Sequence, residues 1–225
     1  MPGGRSRARS SSPGSCAEVG VLALGSHRER HGVLPEDTDA KLASHVALQA
    51  ALRTGAKFLG VIYSSHELPL IHTGVHQPAS LVLREIRRRV KEARELLGVK
   101  GVVVVNGHGG NQPLAKKLAG RKVAGVRMEW DSTLVKGAHA GTEEFSMACA
   151  LGISDPSKLP EHSDFQKHPE VGFVGLERVL RKYKWAAGLA EETKRGIRAE
   201  PELGSRLLRA AVESVCEKIR LLANS

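Results

Sequence analysis

Aromatic side chains are scarce in this chain, at 4% of residues. A surface that stacks on successive bases needs a row of them, so a base-stacking nucleic-acid platform is disfavoured. Cysteine is scarce too. Cys16, Cys149 and Cys216 stand far apart with no paired spacing, which argues against a disulfide scaffold or a zinc ribbon and fits a reducing cytoplasm. No apolar run approaches the roughly 18 residues that span a bilayer, and the opening stretch lacks the apolar core of a signal peptide, so no membrane partner is expected. No internal repeat is evident. Acidic residues are outnumbered, 24 against 34 basic, for a net charge of +10. That excess favours anionic partners, and a phosphorylated small substrate satisfies it as well as nucleic acid does.

What is present is a globular composition: 225 residues, 41% hydrophobic and 26% charged, without a break that would divide one core into two. A disordered basic tail is expected over residues 1–18 and a single domain over 19–225. Apolar runs predict buried strands at Val19–Leu24, Lys57–Tyr63, Val102–Val105 and Lys122–Met128, the last followed by Glu129-Trp130-Asp131. Apolar positions three and four apart predict helices from Thr38 to about Arg53, from a first-turn Pro78 to Leu97, and around Leu114 to Leu118. Further helices are expected from near Thr142, over Val174 to Tyr183, over Ala186 to Lys194, and along Leu208, Val212, Val215, Ile219 and Leu222. Residues 153–172, with three prolines, read mostly as loop. The alternation of strand and helix predicts an α/β fold, a mostly parallel sheet with helices on both faces. The arginine-rich face after Pro78 is read as a solvated surface carrying ion pairs, with nucleic-acid binding as the alternative from a different class.

Polar clusters follow the strands. Glu29, His31 and Asp39 come after the first, His108 after the valine run in Asn106-Gly107-His108-Gly109-Gly110-Asn111, and His139 with Glu144 after the fourth. In parallel sheets ligands bind at the carboxyl ends of strands, so all six converge on one rim. Taken singly, Asp39 and Glu144 read equally well as helix-start carboxylates. Capping does not predict that every cluster falls after a strand. Imidazoles with carboxylates suit zinc, iron or manganese, whereas calcium or magnesium alone leaves the histidines unexplained. Five donors suffice for two ions if one carboxylate bridges, and such a pair is hydrolytic machinery.

Glu29-Arg30-His31-Gly32, Thr38-Asp39, Asn106 to Asn111 and His139-Ala140-Gly141-Thr142-Glu143-Glu144 resemble the creatininase family of metal-dependent amidohydrolases. The resemblance implies the three-layer creatininase-like fold. The stretches from Gly32 to Lys41, Thr54 to Val61, Glu161 to Phe165 and Pro169 to Leu176 resemble its archaeal deformylase branch. Members of that branch hydrolyse the formamide of a ribosylaminopyrimidine 5'-phosphate to formate and an aromatic amine, towards riboflavin and the deazaflavin coenzyme. The family pattern implies that Glu29, Asp39 and His108 hold one ion and His31, Asp39 and Glu144 the second, with Asp39 as the bridge. The donor set tolerates iron, zinc and manganese, and the expected ion is Fe(2+), with Zn(2+) or Mn(2+) as alternatives. Glu144 and His139 are the expected catalytic residues, His139 as proton donor to the departing amine, a role an imidazole can play at physiological pH, and family precedent implies a homo-oligomer. Thr142 and Phe145 depart from the wider family's carboxylate and threonine, which weakens any transfer of creatinine specificity. The helix start at Asn111, with His72 and His76, is a candidate site for the substrate phosphate. The rival within enzymes is a family amidohydrolase acting on a cyclic amide or a peptide.

Overall fold

The structure, a computed structural model, describes residues 15–225. Residues 1–14 of the expected tail lie outside the described residues, and the last four depart from that expectation. Ser15 caps a 3-10 turn at Cys16–Glu18, its Oγ accepting from Ala17 N, and Lys100 N donates to Glu18 O at 2.8 Å. This turn delivers the chain into the sheet.

Five strands, β1 (Val19–Leu24), β2 (Lys57–Ile62), β3 (Gly101–Asn106), β4 (Lys122–Val123) and β5 (Val126–Asp131), lie in the order β2-β1-β3-β5-β4. All neighbours are parallel except β4 and β5. β1 and β3 are buried along their whole length, as uninterrupted apolar runs require when both faces of a sheet are covered. Side chains alternate between faces, so Val103 and Val105 pack on Leu42, Val46 and Ala47 of α1 (Thr38–Thr54) and Val212, Val215 and Ile219 of α8 (Pro201–Ala223). Val102 and Val104 face the other way, onto Val82, Ile86 and Val90 of α2 (Ala79–Leu97) and Leu114 and Leu118 of α3 (Gln112–Leu118). Helix, sheet, helix is the three-layer architecture expected.

β2 is an edge strand, only partly buried over most of its length. Its pairing with β1 skips between Val21 and Ala23, and Gly60, at φ +84°, supplies the extra residue of the bulge. Such an irregularity blunts an open edge.

The fourth expected strand is corrected to a hairpin. Ala124 and Gly125 both take positive φ, 49° and 80°, a two-residue reversal of the kind that joins antiparallel strands. The parallel strand therefore begins at Val126 and includes Glu129-Trp130-Asp131. Pro78 stands at the N-cap of α2 rather than inside its first turn, and Gly98 (φ 67°) ends that helix. The surface of α2 carries the expected pairs, Arg88–Glu92 at 2.6 Å and Lys91–Glu95 at 3.7 Å.

α4 (Thr142–Ala150) starts where expected and packs on α8. The proline-containing stretch holds α5 (Leu159–His162) and a 3-10 turn at Val171–Phe173. α6 (Glu177–Lys182) is shorter than predicted, α7 (Lys184–Lys194) begins two residues early, and α8 begins at Pro201, a turn or more before its first counted leucine. Among the described residues no helix is long and apolar enough to cross a membrane.

Candidate metal centre

From β1 the chain crosses to β2 on one side of the sheet, and from β3 it proceeds to β5 on the other. The carboxyl ends of these two neighbours therefore flank a point where connections diverge and leave a crevice. After β1, residues 28–31 run extended beside 73–75, with Arg30 N donating to Thr73 O and Val75 N to Arg28 O, both at 2.9 Å. Extended backbone sends Glu29 and His31 to the same side and leaves Arg30 outside. After β3, the Asn106 side chain binds the His108 backbone twice, at 2.8 and 3.3 Å, and so closes the turn that presents the imidazole. Gly107 is required there: a Cβ would meet Asp39 O at 2.4 Å, so only glycine lets the end of β3 approach the start of α1.

Five side chains meet in the crevice. His108 Nδ1 lies 2.9 Å from both Asp39 Oδ2 and Glu29 Oε2. His31 Nε2 lies 3.2 Å from Asp39 Oδ1 and 3.3 Å from Glu144 Oε1. Asp39 thus faces both histidines, one with each oxygen. His31, Asp39 and Glu144 have the spacing of one metal-holding group. The other nitrogen of each histidine meets a backbone carbonyl: His31 Nδ1 is 2.9 Å from Glu29 O, and His108 Nε2 is 3.0 Å from His66 O. An outer N–H donating to a carbonyl leaves the inner nitrogen with its lone pair toward two carboxylates. That pairing of lone pair and carboxylate is repulsive, and either a second proton on the ring or a metal ion between them relieves it. Glu29 Oε2 and Glu144 Oε1 are buried without an aligned hydrogen-bond donor, which agrees with oxygens that await such a cation. The residues present fit a divalent metal.

The titration of these groups shows the same imbalance. Burial opposes a charge on His31, yet Glu144 and Asp39 outweigh it and lift its pKa to about 10. His108 is raised well above the usual imidazole range against its own burial, through Glu29 and Asp39. Burial pushes Glu29 up, and His108 and His139 overcome that and hold its pKa well down. Without a cation the carboxylates are stabilised by protons on the histidines, and a metal takes over that role by displacing them.

Two carboxylate oxygens are held by hydroxyls: Thr73 Oγ1 donates to Glu29 Oε1 at 2.8 Å and Ser26 Oγ to Asp39 Oδ2 at 3.0 Å. Glu144 braces the loop before α4 and is a candidate ligand as well, since its Oε2 accepts from Ala140 N at 2.9 Å while Oε1 faces His31. His139 Nε2 lies 2.8 Å from Arg30 O and its ring stacks on Phe173 with centroids 5.4 Å apart, which leaves Nδ1 3.8 Å from Glu29 Oε1. The five expected ligands and His139 lie together in this cluster.

Glu67 and His76 have ligand spacing with Glu29 and His108, although sequence reasoning gave neither a metal role. Glu67 follows β2 as the other groups follow their strands, which was the one available signal. Burial raises its pKa to about 7, and its Oε2 lies 3.4 Å from His108 Nε2.

The centre forms the floor of a cavity of about 510 Å³, walled by Leu68, Ile71, Leu134, Phe173 and Trp185. Of the expected phosphate candidates, the two histidines do not line this cavity, whereas the helix start around Asn111 reaches it through Gly109, Gly110 and Gln112. His72 is exposed and outside the lining; His76 is engaged by Ser65 and Thr73, and burial lowers its pKa to about 4; Asn111 is buried and accepts from His66 N at 2.8 Å. An uncharged imidazole is a poor phosphate clamp.

The creatininase family profile, described as creatinine amidohydrolase, matches residues 14–219. A protein of Methanothermobacter thermautotrophicus named 2-amino-5-formylamino-6-ribosylaminopyrimidin-4(3H)-one 5'-monophosphate deformylase is 42% identical over 211 residues, covering 91% of this chain and 89% of its own. One of the same name from Methanothermobacter marburgensis is 43% identical over 218 residues, covering 93% and 92%. Among solved structures, a creatinine amidohydrolase superposes with TM-score 0.62 at 15% identity, covering 92% of each chain. A form named "Creatininase Mn" gives TM-score 0.62 at 17% identity over 92% of this chain and 91% of that one. A mutant described as Zn-Zn type gives 0.60 at 17%, covering 91% of each. The superpositions speak for the fold and the profile for descent, and together with the deformylase relatives they establish that this chain belongs to the creatininase family.

Proposed function

We propose that residues 19–225 form a single metal-dependent deformylase domain that hydrolyses the formamide of 2-amino-5-formylamino-6-ribosylaminopyrimidin-4(3H)-one 5'-monophosphate to formate and the 2,5-diamino product, a step towards riboflavin and the deazaflavin coenzyme. The observation that carries the substrate assignment is identity of 42–43% across nine-tenths of the chain with relatives of that name. The chemistry is supported by the inner nitrogens of His31 and His108, which share Asp39 on the cavity floor.

In this reading Glu29, Asp39 and His108 hold one divalent ion and His31, Asp39 and Glu144 a second, with Fe(2+) first and Zn(2+) or Mn(2+) accepted by the same mixed donors. Ions bound there supply Lewis-acid polarisation of the formyl oxygen and acidify water for attack. The protein's own groups do the rest. Leu134, Phe173 and Trp185 offer flat apolar surface to the pyrimidine ring and direct the formamide to the floor. Water adds to the formyl carbon, the C–N bond breaks, and the departing nitrogen needs a proton. His139, with Nε2–H fixed on the Arg30 carbonyl, would donate it from Nδ1 when both ring nitrogens carry protons, and the proton that water loses would restore it. Glu144 would hold the second ion through Oε1, beside His31, and its Oε2, which accepts from Ala140 N, would take the proton that water loses. Formate assayed anaerobically with defined metals tests this: release by the intact protein and its loss in Asp39→Ala and His108→Ala are expected. Undiminished release in both variants overturns the mechanism, and no release from the wild type with any metal overturns the substrate.

A further inference from the structure

The floor of the cavity is acidic, with Glu29, Asp39, Glu67 and Glu144, whereas the substrate named above carries a phosphate. The formamide has to reach that floor to react, so the phosphate at the other end of the substrate has to be received elsewhere in the cavity. Apart from histidines, the cations lining it are Lys116 and Lys136. Lys116 lies one helical turn beyond Gln112 on α3, and both residues face the cavity, as i and i+4 positions share a side. Lys136 enters from the segment after the 3-10 turn Thr133–Val135. Both are exposed, and neither joins an ion pair among the described residues. Lys117 faces a different groove, beside Arg121 and Lys122.

We propose that Lys116 and Lys136 form the subsite for the 5'-phosphate and so set the preference for the ribotide over its dephosphorylated nucleoside. The proposal rests on the deformylase reading for the identity of the ligand. The cationic lip then orients the substrate: the phosphate stays at the mouth and the formamide points inward to the floor and His139. The contacts are exposed, so their contribution falls as salt rises.

The test compares kcat/KM for ribotide and nucleoside in the wild type and in Lys116→Ala, Lys136→Ala and the double variant, with Lys117→Ala as control. Each lysine is expected to lower the ribotide-to-nucleoside ratio by about tenfold, the lower range for a hydrogen bond to a charged group. The control should keep the wild-type ratio. Equal losses on both substrates, or a ratio that survives the double substitution, overturn the subsite. If the wild type releases formate from neither substrate, the deformylase reading fails. Titration of the intact protein with ribose 5-phosphate, followed by Trp185 fluorescence, then still decides: binding about tenfold weaker in each variant supports the subsite, and unchanged binding overturns it.

Discussion

Thr73 and Ser26 touch no candidate substrate atom, yet each donates a hydroxyl to a carboxylate that faces the metal centre. Such a donor fixes which oxygen points inward, so its loss loosens the ligand without removing it. Thr73→Val, close in volume and lacking only the donor, is expected to lower metal affinity by about 10- to 100-fold. Competition with a metal-binding dye reads that change, and affinity equal to wild type would contradict the role given to Thr73. Individual residues were legible to different degrees. His108 stood out because a valine run ends in glycines beside it. Asp39 and Glu144 were ambiguous because a carboxylate in a first helical turn suits the helix start as well as a metal, and Glu144 in fact binds Ala140 N of the preceding loop with one oxygen and faces His31 with the other. Lys116 and Lys136 carry no local signal, since a lysine on a helix or in a loop reads as solvated until the cavity beside it is known.

At the scale of elements, strands and helices were readable wherever periodicity decides. β1 and β3 are buried on both faces and so carry unbroken apolar runs, and α8 keeps its apolar stripe through Leu208, Val212, Val215 and Ile219. The hairpin of β4 and β5 was not readable, because Ala124-Gly125 interrupts an apolar pattern without breaking it. That shift has a consequence: Asp131 becomes the last residue of β5, 1% exposed, and is held by Lys218 Nζ at 2.8 Å, Ser214 Oγ at 2.6 Å and Thr133 N at 2.9 Å. Burial pushes the Asp131 carboxyl up, and these donors outweigh it and lower its pKa. This contact ties α8 to the sheet end nearest the metal centre. Lys218→Ala leaves a buried carboxylate with two donors and no cation and is expected to destabilise the fold by about 2 kcal/mol. Urea unfolding measures it, and an unchanged midpoint would show that water replaces the lysine at no cost.

For the whole molecule, two histidines outside the proposed ligand set, His162 buried and His76 half-buried, tie stability to pH. Burial lowers the pKa of His162 to about 4, and it lowers that of His76 to about 4 as well. His162 is neutral in the folded state, with Nε2 donating to Ala140 O at 2.8 Å and Nδ1 accepting from Val33 N at 3.3 Å. The unfolded chain takes up a proton near pH 6.5 that the folded one refuses. Stability is therefore full above about pH 6.5 and falls toward pH 4, by up to roughly 3 kcal/mol for one such group. His162→Gln, whose amide can keep both bonds, is expected to remove that share of the acid sensitivity, and a pH profile identical to the wild type would contradict it. The central claim is that one shared cluster binds the metal and performs the hydrolysis. It is tested most directly by measuring metal content and formate release on the same samples of wild type and Asp39→Ala, reconstituted anaerobically with Fe(2+), Zn(2+) or Mn(2+). Two ions per chain with turnover in the wild type, and loss of both together in Asp39→Ala, is the result predicted. Formate release at the wild-type rate from an Asp39→Ala protein that holds no metal would contradict it.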